Sequence, residues 1–294
     1  MDQAETLRNI IKLQNQRTVT NARVITVTSG KGGVGKSNTS INLALQFQKM
    51  GKKVIILDAD FGLANVEVMF GVIPKYNMGD LIFNGMDIKD IITEGPEGVG
   101  FISGGSGIAK LVNLDKEQVK NLVGKLSQLE EFADVIIIDT GAGISPAVME
   151  FILASPETVL VTTPEPTSIT DSYALLKALS MTDSYDSSVN KVKMLANRVS
   201  NEKESRNLYE KLNSVVTKFL NIKMEYLGHV VYDDNMTKAV MSQKPVTIMY
   251  PHSPASRCYE NIVSTLETGH AVSQNAGVRS FFRNVFSRKM KNGD

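Results

Sequence analysis

Gly30-Lys31-Gly32-Gly33-Val34-Gly35-Lys36-Ser37 is the stretch on which the reading of this chain turns. Two glycines enclose four residues and are followed by lysine and serine, the pattern of a phosphate-binding loop. The apolar run Val24–Thr28 precedes it and the helical stretch Lys36–Met50 follows it, so the local order is strand, loop, helix. Such glycines let the backbone turn tightly enough for its N–H groups to face phosphate oxygens, and the helix N-terminus adds a favourable dipole. In that setting Lys36 is expected to bridge the β- and γ-phosphates of a nucleoside triphosphate, with the Ser37 hydroxyl on Mg²⁺. Gly30, Gly32, Gly33, Val34, Gly35 and Asn38 supply the rest of the cradle.

Outward from the loop, Val- and Ile-rich runs recur at Val54–Leu57, Val99–Ser103, Val135–Ile138, Val159–Thr162, Val192–Ala196 and Leu227–Tyr232. Continuous apolar runs suit strands buried on both faces. Helical stretches such as Lys116–Leu129 and Ser168–Met181 lie between them. The expectation is an α/β fold, a doubly wound and mostly parallel sheet with helices on both faces. Two of the runs close on acids. Asp58-Ala59-Asp60 ends the second strand, at the carboxyl edge where α/β proteins bind ligands, and residues two apart can face the same way there. Val135-Ile136-Ile137-Ile138-Asp139 is a hydrophobic strand ending in a carboxylate suited to Mg²⁺, held directly or through water. Gly141 and Gly143 follow it in a loop able to change its backbone conformation.

The second lysine of the loop, Lys31, gives the chain its resemblance to the deviant Walker ATPases of the MinD and ParA type. The resemblance implies ATP as the nucleotide, a homodimer closed around two ATP molecules, and Lys31 reaching the partner's nucleotide as an arginine finger does. It also implies that Asp60 positions the attacking water, that Asp58 belongs to the Mg²⁺ hydration shell, and that Asn197, with Arg198 beside it at a strand end, reads the adenine edge. Asp233–Pro245 resembles the family's other base-side wall.

Finer features resemble the flagellar number regulators of the FlhG (YlxH, FleN) family. They are Ser37-Asn38, the stretch Asp58 to Val68, Gly104-Gly105-Ser106-Gly107-Ile108, and above all Asp2-Gln3-Ala4-Glu5-Thr6-Leu7-Arg8. Ser103 stands where proline is expected. By that resemblance, Asp2, Gln3, Leu7 and Arg8 engage the GTPase FlhF, and the flagellar C-ring proteins FliM and FliY are further partners. Two other readings compete: a MinD-type division-site selector, and a nucleotide-gated adaptor that does not hydrolyse ATP.

Composition narrows the classes further. Lys+Arg is 32 and Asp+Glu 31 over 294 residues, so no nucleic-acid partner is expected from charge. The single cysteine, Cys258, excludes an internal disulfide and makes an iron–sulfur carrier a poor fit. His229, His252 and His270 lack metal-ligand spacing. Without a signal-like or spanning segment, a cytoplasmic location is expected. The expected organisation is a partner-binding helix over 1–21, an ATPase domain over 22–270, and over 271–294 a linker with an amphipathic helix. That last helix places Val278, Phe281, Phe282, Val285 and Phe286 on one side with Arg279, Arg283 and Arg288 toward its flanks. Such a pattern suits a helix lying on an anionic membrane, which makes the protein reversibly peripheral to the inner face of the cell membrane.

Overall fold

The computed structural model describes residues 22–60, 65–105, 116–220, 222–269 and 277–287. In chain order they form β1 (Arg23–Thr28), α1 (Lys36–Lys49), β2 (Val54–Ala59), α2 (Asn65–Phe70), α3 (Met78–Phe83), α4 (Ile88–Ile91), β3 (Thr93–Glu94), β4 (Gly100–Ile102) and α5 (Lys116–Ser127). There follow β5 (Val135–Thr140), α6 (Pro146–Ala154), β6 (Glu157–Thr162), α7 (Pro166–Ser180), β7 (Lys191–Val199), α8 (Glu202–Leu220), β8 (Met224–Val231), α9 (Asp234–Met241), α10 (Val246–Met249), α11 (Pro254–Thr268) and α12 (Val278–Val285). The strands make one sheet in the order β3-β4-β2-β5-β1-β6-β7-β8, parallel except where β3 meets β4. The expected α/β class, doubly wound and mostly parallel, is the observed one.

The apolar runs became strands because both of their faces are covered. Every residue of β1, β2, β5 and β6 is buried. One face of the sheet packs under α1 and α11, with Ile41, Phe47, Tyr259 and Leu266 in its core. On the other face Val119, Leu122 and Leu126 of α5 and Phe151 of α6 close over β2 and β5. Leu175, Leu176, Leu208 and Leu212 of α7 and α8 cover the β6–β7 end. Register then sets the chemistry: Asp58 lies beside Asp139 on the neighbouring strand, one strand away from the loop that leaves β1.

At the opposite end of the sheet a buried ionic cluster ties β1, β6, β7 and α11 together. The Arg23 guanidinium donates to both oxygens of Glu157 at 2.8 and 2.9 Å, to Glu267 at 3.0 Å and to the Leu266 carbonyl at 3.0 Å. Lys193 donates to Glu157 from the neighbouring strand. Burial alone would raise the Glu157 carboxyl, but Arg23 and Lys193 hold it below its ordinary value. A carboxylate depressed in the folded state adds stability above its unfolded pKa and loses it as pH falls through the folded one. Glu157→Gln leaves Lys193 without its counter-charge and Arg23 with Glu267 alone, a loss of about 3–5 kcal/mol. Thermal melts of the wild type and Glu157→Gln from neutral pH down to strong acid are expected to converge at the acid end.

The C-terminal helix, expected to be amphipathic, is packed against the fold by its apolar side. Val278, Phe281, Phe282, Val285 and Phe286 are all buried, in the same core as α5 and α6. The Phe281 ring stacks on Phe151 of α6 at 6.2 Å and meets Phe282 edge-on at 5.0 Å. Glu130 accepts the first N–H of the helix, from Val278, at 2.7 Å. Arg279, Arg283 and Asn284 face solvent on the opposite side. The physical reason is the groove between α5 and α6, which an apolar stripe of helical spacing fills. The expected helix over 1–21, with Asp2, Gln3, Leu7 and Arg8, lies outside the described residues.

Candidate nucleotide-binding site

The loop from Gly30 to Gly35 leaves the carboxyl end of β1 and opens α1. Two of its glycines are fixed by close approach. A Cβ on Gly30 would stand 2.2–2.5 Å from the Asp171 and Ser172 backbone of α7. Gly35 caps α1 with φ of 94°, and a Cβ there would meet the Asn197 amide at 2.3 Å. Gly32 and Gly33 have no protein atom within 4 Å of that position, so the inner side of the loop opens onto free space. A phosphate cradle requires that opening.

Below the loop, Lys36, Ser37, Ser40, Asp58 and Asp139 are buried together. Lys36 Nζ lies 3.0 Å from Asp139 Oδ1 and 3.2 Å from Ser37 Oγ. Ser40, one turn further along α1, donates to the same Asp139 oxygen at 2.7 Å. Asp139 Oδ2 is buried without a hydrogen-bond partner. An orphaned buried carboxylate oxygen is unfavourable unless something binds it. A carboxylate oxygen and the Ser37 hydroxyl in one buried cluster suit a divalent cation.

Asp58 accepts the backbone N–H groups of Asp60 at 3.1 Å and Val66 at 3.2 Å, so it also anchors the start of α2. Burial, and then the charge of Asp139, push its carboxyl up to about 7. Asp60 points to the same side, with Asn65 Nδ2 donating to its Oδ2 at 3.2 Å. A Cβ on Gly141, in the loop after β5, would stand 3.6 Å from Asp60 Oδ1, and Gly143 N–H is tied to Ser29 O at 2.9 Å. Asp60 therefore sits between the loop that leaves β2 and the loop that leaves β5.

Lys31 turns away from its own loop. Its Nζ lies 2.7 Å from Thr167 Oγ1 and 3.1 Å from Glu165, at the start of α7, and its side chain is 36% exposed. Asn197 Nδ2 donates to Val34 O at 2.7 Å and its Oδ1 accepts Arg198 N–H at 3.0 Å. Asn197 thus ties the end of β7 to the glycine loop, and Arg198 beside it takes a left-handed φ of 57°. Beside them a pocket of about 340 Å³ is lined by Gly35, Asn38, Tyr232, Asp233, Met236 and Met241, apolar side chains with a polar rim suited to a planar base. A larger groove of about 480 Å³ runs along β8 between α8 and α11 and contains none of the loop residues.

Comparison with known proteins settles the family. The profile of ParA, the NUBPL iron-transfer P-loop NTPases, matches residues 20–267. The chain belongs to the ParA family of P-loop NTPases. Within that family it is 38% identical over 260 residues to the antiactivator FleN of Pseudomonas aeruginosa, covering 88% of this chain and 91% of FleN. It is 35% identical over 297 residues to the flagellum site-determining protein YlxH of Helicobacter pylori, covering 97% and 98%. The ParA fold is seen again in the septum site-determining protein MinD of Pyrococcus horikoshii, solved with Mg-ADP. That chain is 21% identical with a TM-score of 0.66, covering 88% of this chain and 98% of the other.

Ser40, Glu165 and Thr167 are the residues of this cluster that the motifs did not single out. Ser40 was within reach of helical periodicity, being three and four residues beyond Ser37 and Lys36. Glu165 and Thr167 were not, since they lie 134 and 136 residues from Lys31 in the chain.

Proposed function

We propose that the chain is an ATP hydrolase whose ATP-bound form is a homodimer, and that it regulates flagellar number and placement. The observation that carries this reading is the buried constellation of Lys36, Ser37, Asp58 and Asp139 under an open glycine loop, with Asp60 at its rim. Similarity to FleN and YlxH over nearly the whole chain supports the flagellar part.

Lys36 moves from Asp139 to the β- and γ-phosphates, the loop N–H groups hold the remaining oxygens, and Asn197 keeps Val34 and hence the loop in register. Ser37 and Asp139 would hold Mg²⁺, with Asp58 in its hydration shell; bound there, the ion neutralises charge on the phosphates. Asp60, braced by Asn65, orients the attacking water. The pocket beside Tyr232 and Met236 takes the adenine, with Arg198 at its edge.

Lys31 is assigned to the partner's nucleotide. To reach it the side chain must leave Glu165 and Thr167, exchanging one half-exposed ion pair for a more highly charged phosphate. Exposed pairs of this kind contribute only about 0–1 kcal/mol, so the exchange is cheap. Lys31→Ala is expected to bind ATP as a single chain and to fail to dimerise. Light scattering in ATP and Mg²⁺ checks this, and a stable Lys31→Ala dimer would remove the trans assignment.

Residues 1–21 are proposed to engage FlhF through Asp2, Gln3, Leu7 and Arg8, with FliM and FliY as C-ring partners. A peptide of residues 1–20 is expected to raise FlhF GTP turnover and to lose that effect on changing Gln3 or Arg8; an inert peptide would contradict it. Membrane contact is proposed for Phe281, Phe282, Val285 and Phe286 after undocking from α5 and α6. Lipid replaces the core those side chains leave, so their own transfer energy is roughly conserved. The opposing cost is the groove left open between α5 and α6. Sedimentation with anionic liposomes is expected to need ATP; equal binding in ADP would overturn the switch.

A further inference from the structure

We propose that Ser40 is a positioning residue for the divalent cation, fixing one oxygen of Asp139 so that the other faces the metal. The proposal rests on the reading above that Asp139 and Ser37 hold Mg²⁺.

Ser40 and Asp139 are both fully buried. A serine hydroxyl has one proton to give. Ser40 Oγ stands 3.3 Å from the Lys36 carbonyl, where helical serines often bond, and 2.7 Å from Asp139 Oδ1. The shorter contact is to a carboxylate, and charge-assisted hydrogen bonds are both shorter and stronger than neutral ones, so the proton belongs to Asp139. Oδ1 receives a second donor, Lys36, at 3.0 Å, while Oδ2 receives none. The two oxygens of one carboxylate are thus sharply different in role.

A lysine that bridges phosphates cannot stay on Asp139. Ser40 is then the one side chain among the described residues still donating to Oδ1. Ser37 and Ser40 lie three residues apart on α1, so one helix face carries both the proposed metal-ligating hydroxyl and the hydroxyl that orients the opposing carboxylate. Without the second, the Asp139 carboxylate is free to turn about its terminal bond, and the orientation of its cation-facing oxygen is lost. Partners of this outer kind typically change metal affinity ten- to a hundredfold.

The test is calorimetric titration of ADP into the whole chain, in EDTA and over a series of Mg²⁺ concentrations, for the wild type, Ser40→Ala and Asp139→Asn. Ser40→Ala is expected to keep its ADP affinity in EDTA within about twofold and to need about tenfold more Mg²⁺ for half of the metal-dependent gain. Melting without ligand, measured on the same samples, is expected to stay close to the wild type. An unchanged Mg²⁺ midpoint in Ser40→Ala, with Asp139→Asn shifted, would overturn the role of Ser40 and leave the metal reading standing. Equal loss of ADP affinity in EDTA would make Ser40 a merely structural residue and also overturn it. Wild-type binding indifferent to Mg²⁺ would overturn the metal reading itself, and this proposal with it.

Discussion

Asp60→Ala is expected to lower ATP turnover by about a hundredfold or more while leaving ATP binding intact. Its carboxylate is held at the rim of the site by Asn65 at 3.2 Å and lies near Gly141, in neither the Lys36–Asp139 pair nor the phosphate loop. Removing it takes away a group that orients water and leaves every proposed phosphate and metal contact in place. The contrast with Lys36→Ala is the informative part. That change removes the phosphate lysine and leaves Asp139, a fully buried carboxylate, without its cation, so nucleotide binding is expected to fall first. Initial rates of phosphate release, together with ADP titration, separate the two. Wild-type turnover in Asp60→Ala would remove the water-positioning assignment.

Phe281→Ala is expected to lower folding stability by about 3–5 kcal/mol, a large share of the roughly 5–15 kcal/mol that domains possess. The ring is 2% exposed, stacked on Phe151 and locked edge-on by Phe282. Its loss leaves a cavity between α6 and α12, walled by a sheet-backed helix that has little room to collapse inward. A segment serving only to meet lipid would give a different result, with stability in water unchanged or improved by the substitution. Urea unfolding decides between them. The same property demands a control in any liposome experiment: a chain ending at Gly277 loses the residues proposed to meet lipid and also uncovers Val119, Leu122 and Leu126. Its membrane binding is interpretable only if its unfolding midpoint is reported beside it.

The parts of the fold and site written in contiguous residues were legible. Gly30 to Ser37 states its own conformation, because only glycine accepts φ near 94° at residue 35 and only glycine fits against α7 at residue 30. The runs ending at Asp58 and Asp139 are apolar throughout, which only strands buried on both faces require, and strand polarity alone brings both acids to one edge. β3, two residues long, carries no periodicity at all. The C-terminal helix was legible as a helix and illegible in its partner, because a stripe at 278, 281, 282 and 285 has the same spacing whether lipid or α5 and α6 cover it. Asn197 was legible as a strand-end amide, but its bond to Val34 spans 163 residues and no local pattern announces it.

The central claim is that ATP, and ATP alone, closes two chains into one particle. The measurement that tests it most directly is the mass of Asp60→Ala by light scattering with ATP and Mg²⁺, under conditions where hydrolysis cannot dissolve the complex. Twice the mass of one chain is expected with ATP, one chain with ADP, and one chain with ATP when Lys31→Ala is added. A single-chain mass in ATP, or an equal dimer in ADP, would contradict the account.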